Sequence, residues 1–432
     1  MGAKVKITCQ PTHTRFHEAK VMSKANPKPL PLTADVHWVG VNDTQTPLFE
    51  GLWSIPEGVS YNSYLVQGSE KTALIDCVHE KKAEEHFDKI SQLTDISKLD
   101  YLVVNHMEPD HTGAIPQLLK KAPNIKLVFT PIAQTIFRKF YGTNPTAELV
   151  KGDDVEISLG NKTLRFLQTP WLHWPETMST YLPEDKVLFC CDAFGSFKKL
   201  PDGAILESDM NVAAQNVCGC SQKYFASVFN GQRDWVVKAV EKFERMGLEF
   251  EFLAPSHGPV YTTGAKQTLR QWTAWSKGSY KKTVVAAYGS MYGLTAKCLS
   301  ALGKGVAEAG GSVVSFNLSE ADPVDALTAL VESPAIVVAS PTYEHEVFPK
   351  VADFVNLLRV KKFSDRCASV FGSFGWSGEA TRKLASELAE LGFEVVGKPL
   401  PVYGSPTEAD LEKVRELGRA LAERAFAKTS AV

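Results

Sequence analysis

Short apolar runs recur through the first two thirds of the chain: VHWVGV (36–41), NSYLVQ (62–67), TALID (72–76), LVVN (102–105), KLVF (126–129), LRFLQT (164–169), VLFCC (187–191) and FLAP (252–255). Their length and bounding turns suit strands of a buried sheet. Near 80–93, 113–121, 131–140 and 235–246 the apolar residues instead return every three or four positions, as in WVVKAVEKFERM (235–246). That is the period of a helix with one buried face. Strand pairs with short turns, followed by helices, predict sheets covered by helices.

A different rhythm starts at KKTVVAAYGS (281–290). Strand and helix then alternate: TVVAAY, helix 293–309, SVVSF, helix 323–332, AIVVAS, helix 347–359, CASVFGS, helix 378–391, FEVVG, helix 407–426. Five strands alternating with five helices predict a doubly wound parallel sheet. The polar stretch WSKGSYKK (275–282) marks the change. The expected organisation is an N-terminal extension (1–33), a first domain (34–278) and a second domain (279–432). A chain of 432 residues is too long for one hydrophobic core, which agrees with two domains.

Composition narrows the functional classes. With 44% hydrophobic and 22% charged residues the chain is ordinary globular material. A net charge of −2 gives no footprint for nucleic acid. No apolar run reaches the ~18 residues of a membrane span, so no membrane partner is expected. Eight irregularly spaced cysteines suit a reducing compartment, and the expected location is the cytoplasm. Residues 1–33 hold six Lys or Arg against Glu18 and contain no apolar core of a secretory signal. They read as a flexible arm or packing extension, with an organellar targeting segment as the alternative.

The densest chemistry is NHMEPDH (105–111). In an extended loop, residues two apart point the same way, so His106 and Glu108 can reach one ion. Asp110 and His111 open the following helix and can face a second. His173, Asp192 and His257 each follow an apolar strand, where binding groups of sheet proteins collect. A single histidine after a strand is most often an ordinary loop residue; the cluster is what gives these three a use. Seven ligands from four loops suit two ions sharing one carboxylate, with Asp192 the candidate bridge. Three carboxylates among the ligands favour iron or manganese over zinc.

In the second domain, SMYGLT (290–295) joins a strand to a helix. Ser290, Gly293, Thr295 and the first helical amides can hold a phosphate without a basic residue. SPTYEHEVFP (340–349) and GSFGWSGEA (372–380) follow neighbouring strands of the same sheet, and Trp376 or Tyr343 offers an aromatic face for a flavin ring.

With the metal cluster in place, TPWLHWPETMSTY (169–181), CDAFGSF (191–197) and APSHGPVY (254–261) make the chain resemble the flavodiiron proteins over roughly residues 34–426. The resemblance implies a metallo-β-lactamase-like αββα sandwich followed by a flavodoxin-like domain. It implies that His106, Glu108 and His173 hold one iron, that Asp110, His111 and His257 hold the other, and that Asp192 bridges them. It implies FMN bound by Ser290, Met291, Tyr292, Gly293, Leu294 and Thr295 at the phosphate, and by Pro341, Thr342, Tyr343, Ser373, Phe374, Gly375, Trp376 and Gly378 at the ring and ribityl chain. The implied activity is reduction of dioxygen to water, or of nitric oxide to nitrous oxide. A head-to-tail homodimer or a dimer of dimers is the implied assembly. Two positions depart from the family: Glu50 stands where a histidine is frequent, and Glu344 where asparagine is frequent.

The remaining cysteines read as follows. Cys190 and Cys191 are packing residues beside Asp192, and Cys218-Gly-Cys220 is a weak candidate for a metal site or a redox pair. The chain has no Cys-x-x-Cys and hence no rubredoxin module of its own, so an external donor, a rubredoxin or a reductase, must supply electrons. The alternative function is a metal-dependent hydrolase with an attached flavin domain. Hydrolases of the superfamily generally carry histidine where this chain has Glu108.

Overall fold

The structure is a computed structural model that describes residues 28–212 and 215–429, with side chains through 427. The first domain stacks two sheets. One has seven strands in the order Leu30–Pro31, Val36–Trp38, Tyr64–Gln67, Thr72–Ile75, Tyr101–Val103, Lys126–Phe129 and Ala147–Leu149. The other runs Glu156–Ser158, Thr163–Gln168, Met178–Leu182, Val187–Cys191 and Phe252–Pro255. Alternation along each strand feeds two cores. Ala73, Ile75, Val103, Val128, Phe166 and Phe189 share the core between the sheets. Leu74, Leu102, Leu127 and Leu188 belong instead to a cluster with helical residues such as Phe87, Leu118, Phe137 and Val240. The strands are apolar on both faces because helices cover the outer ones.

The second domain is a parallel sheet with strands in the order Ser312–Asn317, Thr283–Tyr288, Ala335–Ala339, Cys367–Phe374, then Glu394–Val395, with Leu400–Tyr403 also paired to Cys367–Phe374. By chain order this is second, first, third, fourth, fifth, the flavodoxin-like arrangement. Val285, Val338 and Val370 cluster with helices Pro323–Val331, Pro349–Val360 and Glu379–Glu390. Val284, Val337 and Phe371 cluster with Leu299–Glu308 and Glu408–Thr429. Helices therefore lie on both faces.

The structure adds elements that periodicity did not reveal. Helix Val217–Tyr224 and the π-turn Phe225–Phe229 form a connector; the five π-turn residues are all buried, so that part shows no polar stripe. Helix Ala265–Lys277 runs into the polar stretch expected as a linker, and Gly278 stops it at φ 77°. Trp275 of that stretch is buried, with its indole donating to Glu332 of the second domain at 3.2 Å. Strand Leu400–Tyr403 hides behind its proline, which an edge position tolerates. Leu30–Pro31, within the expected extension, pairs with Val36–Trp38 at the sheet edge. Residues 1–27, on which the arm and targeting readings rest, lie outside the described residues.

Contacts between the domains are close. Gln222 donates to the Thr328 carbonyl at 3.0 Å, and Asn230 to the Lys361 carbonyl at 2.7 Å. Among the described residues, no helix is long and apolar enough to cross a membrane.

Candidate functional site

The chain leaves strand Tyr101–Val103 extended and turns helical only at Pro109, which opens the short helix Pro109–Thr112. Glu108, at φ −62° and ψ 142°, is the last extended residue. His106 and Glu108 therefore project from the loop, while Asp110 and His111 project from the turn of helix. The other three residues arrive from strand ends of the second sheet and the loops beyond.

All seven expected residues converge. His106 Nε2 lies 3.5 Å from Glu108 Oε2 and 3.4 Å from Asp192 Oδ2. His173 Nε2 lies 3.0 Å from Glu108 Oε2 and 3.4 Å from Asp192 Oδ2. On the other side, Asp192 Oδ1 is 2.8 Å from His111 Nε2 and 3.2 Å from His257 Nε2. Asp110 closes this group, 3.3 Å from each of those two nitrogens. Donor atoms about 2.1 Å from a shared ion stand roughly 3.0–3.5 Å apart at 90–109°, so both groups have the spacing of a coordination sphere. Asp192 presents one oxygen to each group.

The donor atoms fit a metal pair on a second ground. His106 Nε2, His111 Nε2, His257 Nε2 and both oxygens of Asp110 and Asp192 are buried without a hydrogen-bond partner. A buried polar atom left unsatisfied costs about 1–3 kcal/mol, and here the orphans face one another. Two of the opposite nitrogens are tied down, while His111 Nδ1 is also buried without a partner. His106 Nδ1 donates to Glu176 Oε1 at 2.8 Å and His257 Nδ1 to the Ser60 carbonyl at 2.7 Å, which turns both Nε2 atoms inward. Aromatic rings keep the imidazoles dry: Trp174 against His106, Phe229 against His173, and Phe49 and Tyr224 against His257.

Three supporting residues were not singled out in the sequence. Glu176 also accepts from the Met107 amide at 3.0 Å. Asp76 accepts from the amide and side chain of Asn105 at 2.7 and 2.9 Å. Asn105 in turn accepts from Thr180 at 2.8 Å, linking the ligand loop to the second sheet. The available signals were the lone acids in PETM and TALID, each beside a buried strand.

Electrostatics prepare the site for cations. Burial opposes charge on Asp192, yet His111, His173 and His257 hold it well below the usual carboxylate range. Against the same burial, Asp192 and Glu108 raise His173 to about 9, and Asp110 and Asp192 raise His257 to about 10. In the metal-free protein both imidazoles are protonated at neutral pH, whereas metal binding needs them neutral. Adding Fe²⁺ to metal-free protein at pH 7 is therefore expected to release two or more protons. Iron affinity should weaken as pH falls from about 9. Metal uptake with no proton release, followed in lightly buffered solution, would contradict this arrangement.

Cys191 lies near His111 and Asp192, but burial raises its thiol well above the ordinary value. It stays a thiol and a poor ligand. Cys190 is likewise buried, and the cysteines at 218 and 220 are free thiols.

The residues expected to hold the flavin gather at the carboxyl ends of the parallel strands. Gly293 sits at φ 81° with no atom within 4 Å of where a Cβ would stand, leaving the loop open in front. Thr295 is buried, and its hydroxyl meets that of Ser373 at 2.9 Å, joining the first loop to the third. Ser290 Oγ accepts from the Ala296 amide at 3.4 Å. Thr342–Tyr343 and Glu346–Val347 form a hairpin whose turn, Glu344 and His345, has positive φ at both positions. Asparagine enters that conformation more easily than glutamate. Tyr292, Tyr343, Trp376 and Met291 remain exposed around the loops. Tyr403, which ends the strand missed in the sequence, is exposed beside Phe374.

Comparison with known proteins gives the family. Residues 59–258 match the ODP family beta lactamase profile and residues 287–418 the flavodoxin profile. The nitric oxide reductase of Moorella thermoacetica is 32% identical over 399 residues, covering 92% of this chain and 99% of that protein. The chain belongs to the flavodiiron family. Among solved structures, the rubredoxin oxygen:oxidoreductase of Desulfovibrio gigas superposes with a TM-score of 0.89 at 28% identity, over 94% of this chain and 100% of that one. The flavodiiron protein of Giardia intestinalis gives 0.88 at 29%, over 93% and 98%. As a flavodiiron protein the chain is an oxidoreductase whose cofactors are FMN and a diiron centre.

A cleft of ≈ 240 Å³ opens onto the flavodiiron site, lined by Glu50, Tyr61, His79, Glu108 and Asp110 among others. Glu50 is exposed at its rim, at φ 52°. Surrounding protein and the Glu108 charge raise its carboxyl above the ordinary value.

Proposed function

We propose that this flavodiiron protein reduces dioxygen to water, or nitric oxide to nitrous oxide, with electrons received from an external rubredoxin or reductase. The observation that carries the reading is Asp192 dividing six further donors into two groups, one per carboxylate oxygen. His106, Glu108 and His173 would hold the first iron, Asp110, His111 and His257 the second, with Asp192 between. The flavin would rest on the loops 290–295, 341–343 and 373–378. Residues 34–278 and 279–432 would be the metal and flavin domains. When bound, FMN supplies electrons and the iron pair supplies the site of gas reduction. The chain's own part is to orient the imidazoles through Glu176 and Ser60, to exclude water with aromatic rings, and to admit a small gas through the cleft. Cys77, Cys190, Cys191, Cys218, Cys220 and Cys298 are thiols outside any disulfide, which suits the cytoplasm.

A head-to-tail homodimer, alone or within a dimer of dimers, completes the reading. Helix Pro349–Val360 starts just after the hairpin that borders the flavin cradle and ends beside Lys361, near Glu50. Its 12 residues span about 18 Å, a wide gap for electrons within one chain. A two-fold pair would place each flavin against the partner's irons.

The test is anaerobic reduction followed by parallel turnover with dioxygen and nitric oxide, beside metal analysis. Two irons per FMN and rapid consumption of at least one gas are expected. Two zincs, or iron-loaded protein inert to both gases, would overturn the function.

A further inference from the structure

Lys361 closes the helix Pro349–Val360 of the flavodoxin-like domain, yet its ammonium lies over a ring of the metal domain, 5.1 Å from the Trp53 centroid. Asn230 holds the lysine's backbone in place through its carbonyl, at 2.7 Å. Trp53 is 1% exposed, and its indole N–H donates to Glu50 Oε2 at 3.0 Å. One buried indole therefore carries a cation on its face and a carboxylate at its edge, contributed by different domains. The carboxylate stands on the rim of the cleft that contains Glu108 and Asp110. The charges also feel one another. Burial weakens the Lys361 cation while Glu50 and Glu108 strengthen it.

We propose that Lys361 and Glu50 are positioning residues of opposite sign, fixed on Trp53, that set the reduction potential of the iron pair. The proposal rests on the diiron reading above. A nearby cation favours the state with more electrons and a nearby anion the state with fewer. Neither residue belongs to the seven donors, so each can change without removing a metal ligand. The flavin domain thereby contributes a charge to the metal site of its own chain, while its FMN serves the partner's.

The experiment is an anaerobic redox titration of the iron pair, followed by the electron paramagnetic resonance of its mixed-valent state. It compares wild type with Lys361→Met, Glu50→Gln, the double variant and Lys361→Arg, after iron and FMN contents have been measured. Expected results are a lower potential for Lys361→Met, a higher one for Glu50→Gln, near cancellation in the double variant and retention in Lys361→Arg. A purely structural clamp would not produce shifts of opposite sign. Unshifted potentials in iron-loaded variants, or shifts in one direction for both, would overturn the proposal alone. Wild type without an iron pair would overturn the diiron reading and the proposal with it.

Discussion

Asp192→Asn is expected to lose iron and to lower gas reduction by more than ~100-fold while FMN stays bound. Residues that only hydrogen-bond to a metal ligand typically cost about 10–100-fold when removed, and Asp192 is placed more directly than any of these. Its Oδ2 faces His106 and His173, and its Oδ1 faces His111 and His257. Asparagine keeps the shape and removes the negative charge that two Fe²⁺ ions would share. Its amide hydrogens would also point at one of the two groups. The flavin loops lie in the other domain, so the FMN spectrum should be unchanged. Metal analysis and the visible spectrum of one preparation check both halves, and a variant holding both irons at full activity would remove the bridging role.

Gly293→Val should abolish FMN binding with iron retained. Gly293 has φ 81°, which costs a side chain with a Cβ roughly 1–2 kcal/mol and a β-branched one more. The valine methyls would also enter the open space before the loop, where the phosphate is expected. Thr295→Ala should weaken FMN less, by loosening the contact with Ser373. Equal FMN occupancy in Gly293→Val and wild type would contradict this placement. The same variant tests the assembly. Mixed with Asp192→Asn under conditions of subunit exchange, it should regain activity, because one chain brings FMN and the other iron. Silence after proven exchange would mean that electrons travel within one chain.

The legible part of the site shares a cause. NHMEPDH concentrates four donors where loop and helix meet, and His173, Asp192 and His257 each close an apolar strand, so local pattern was enough to nominate them. Glu176 bonds one donor, His106, while Asp76 and Asn105 act on the ligand loop through each other and Thr180, and a lone acid or amide carries no periodicity. The helices Val217–Tyr224 and Ala265–Lys277 escaped for different reasons. The first buries Val217, Cys220, Ser221 and Tyr224, but two of these four are small and weakly apolar, so its stripe is faint. The second carries many polar residues around a narrow apolar line that includes Trp272 and Trp275. The pairing of Glu50 with Lys361 depends on how two domains meet, which no short window of sequence encodes.

The central claim is that flavin and iron act as one reducing unit. It is tested most directly by mixing fully reduced, donor-free protein with limiting dioxygen and counting products. FMN and two ferrous ions together hold four electrons, enough to take one dioxygen to water. The expected result is reoxidation of both flavin and iron, one dioxygen consumed per FMN oxidised, and no hydrogen peroxide. Peroxide formed in step with flavin oxidation, while the iron stays ferrous, would contradict the account.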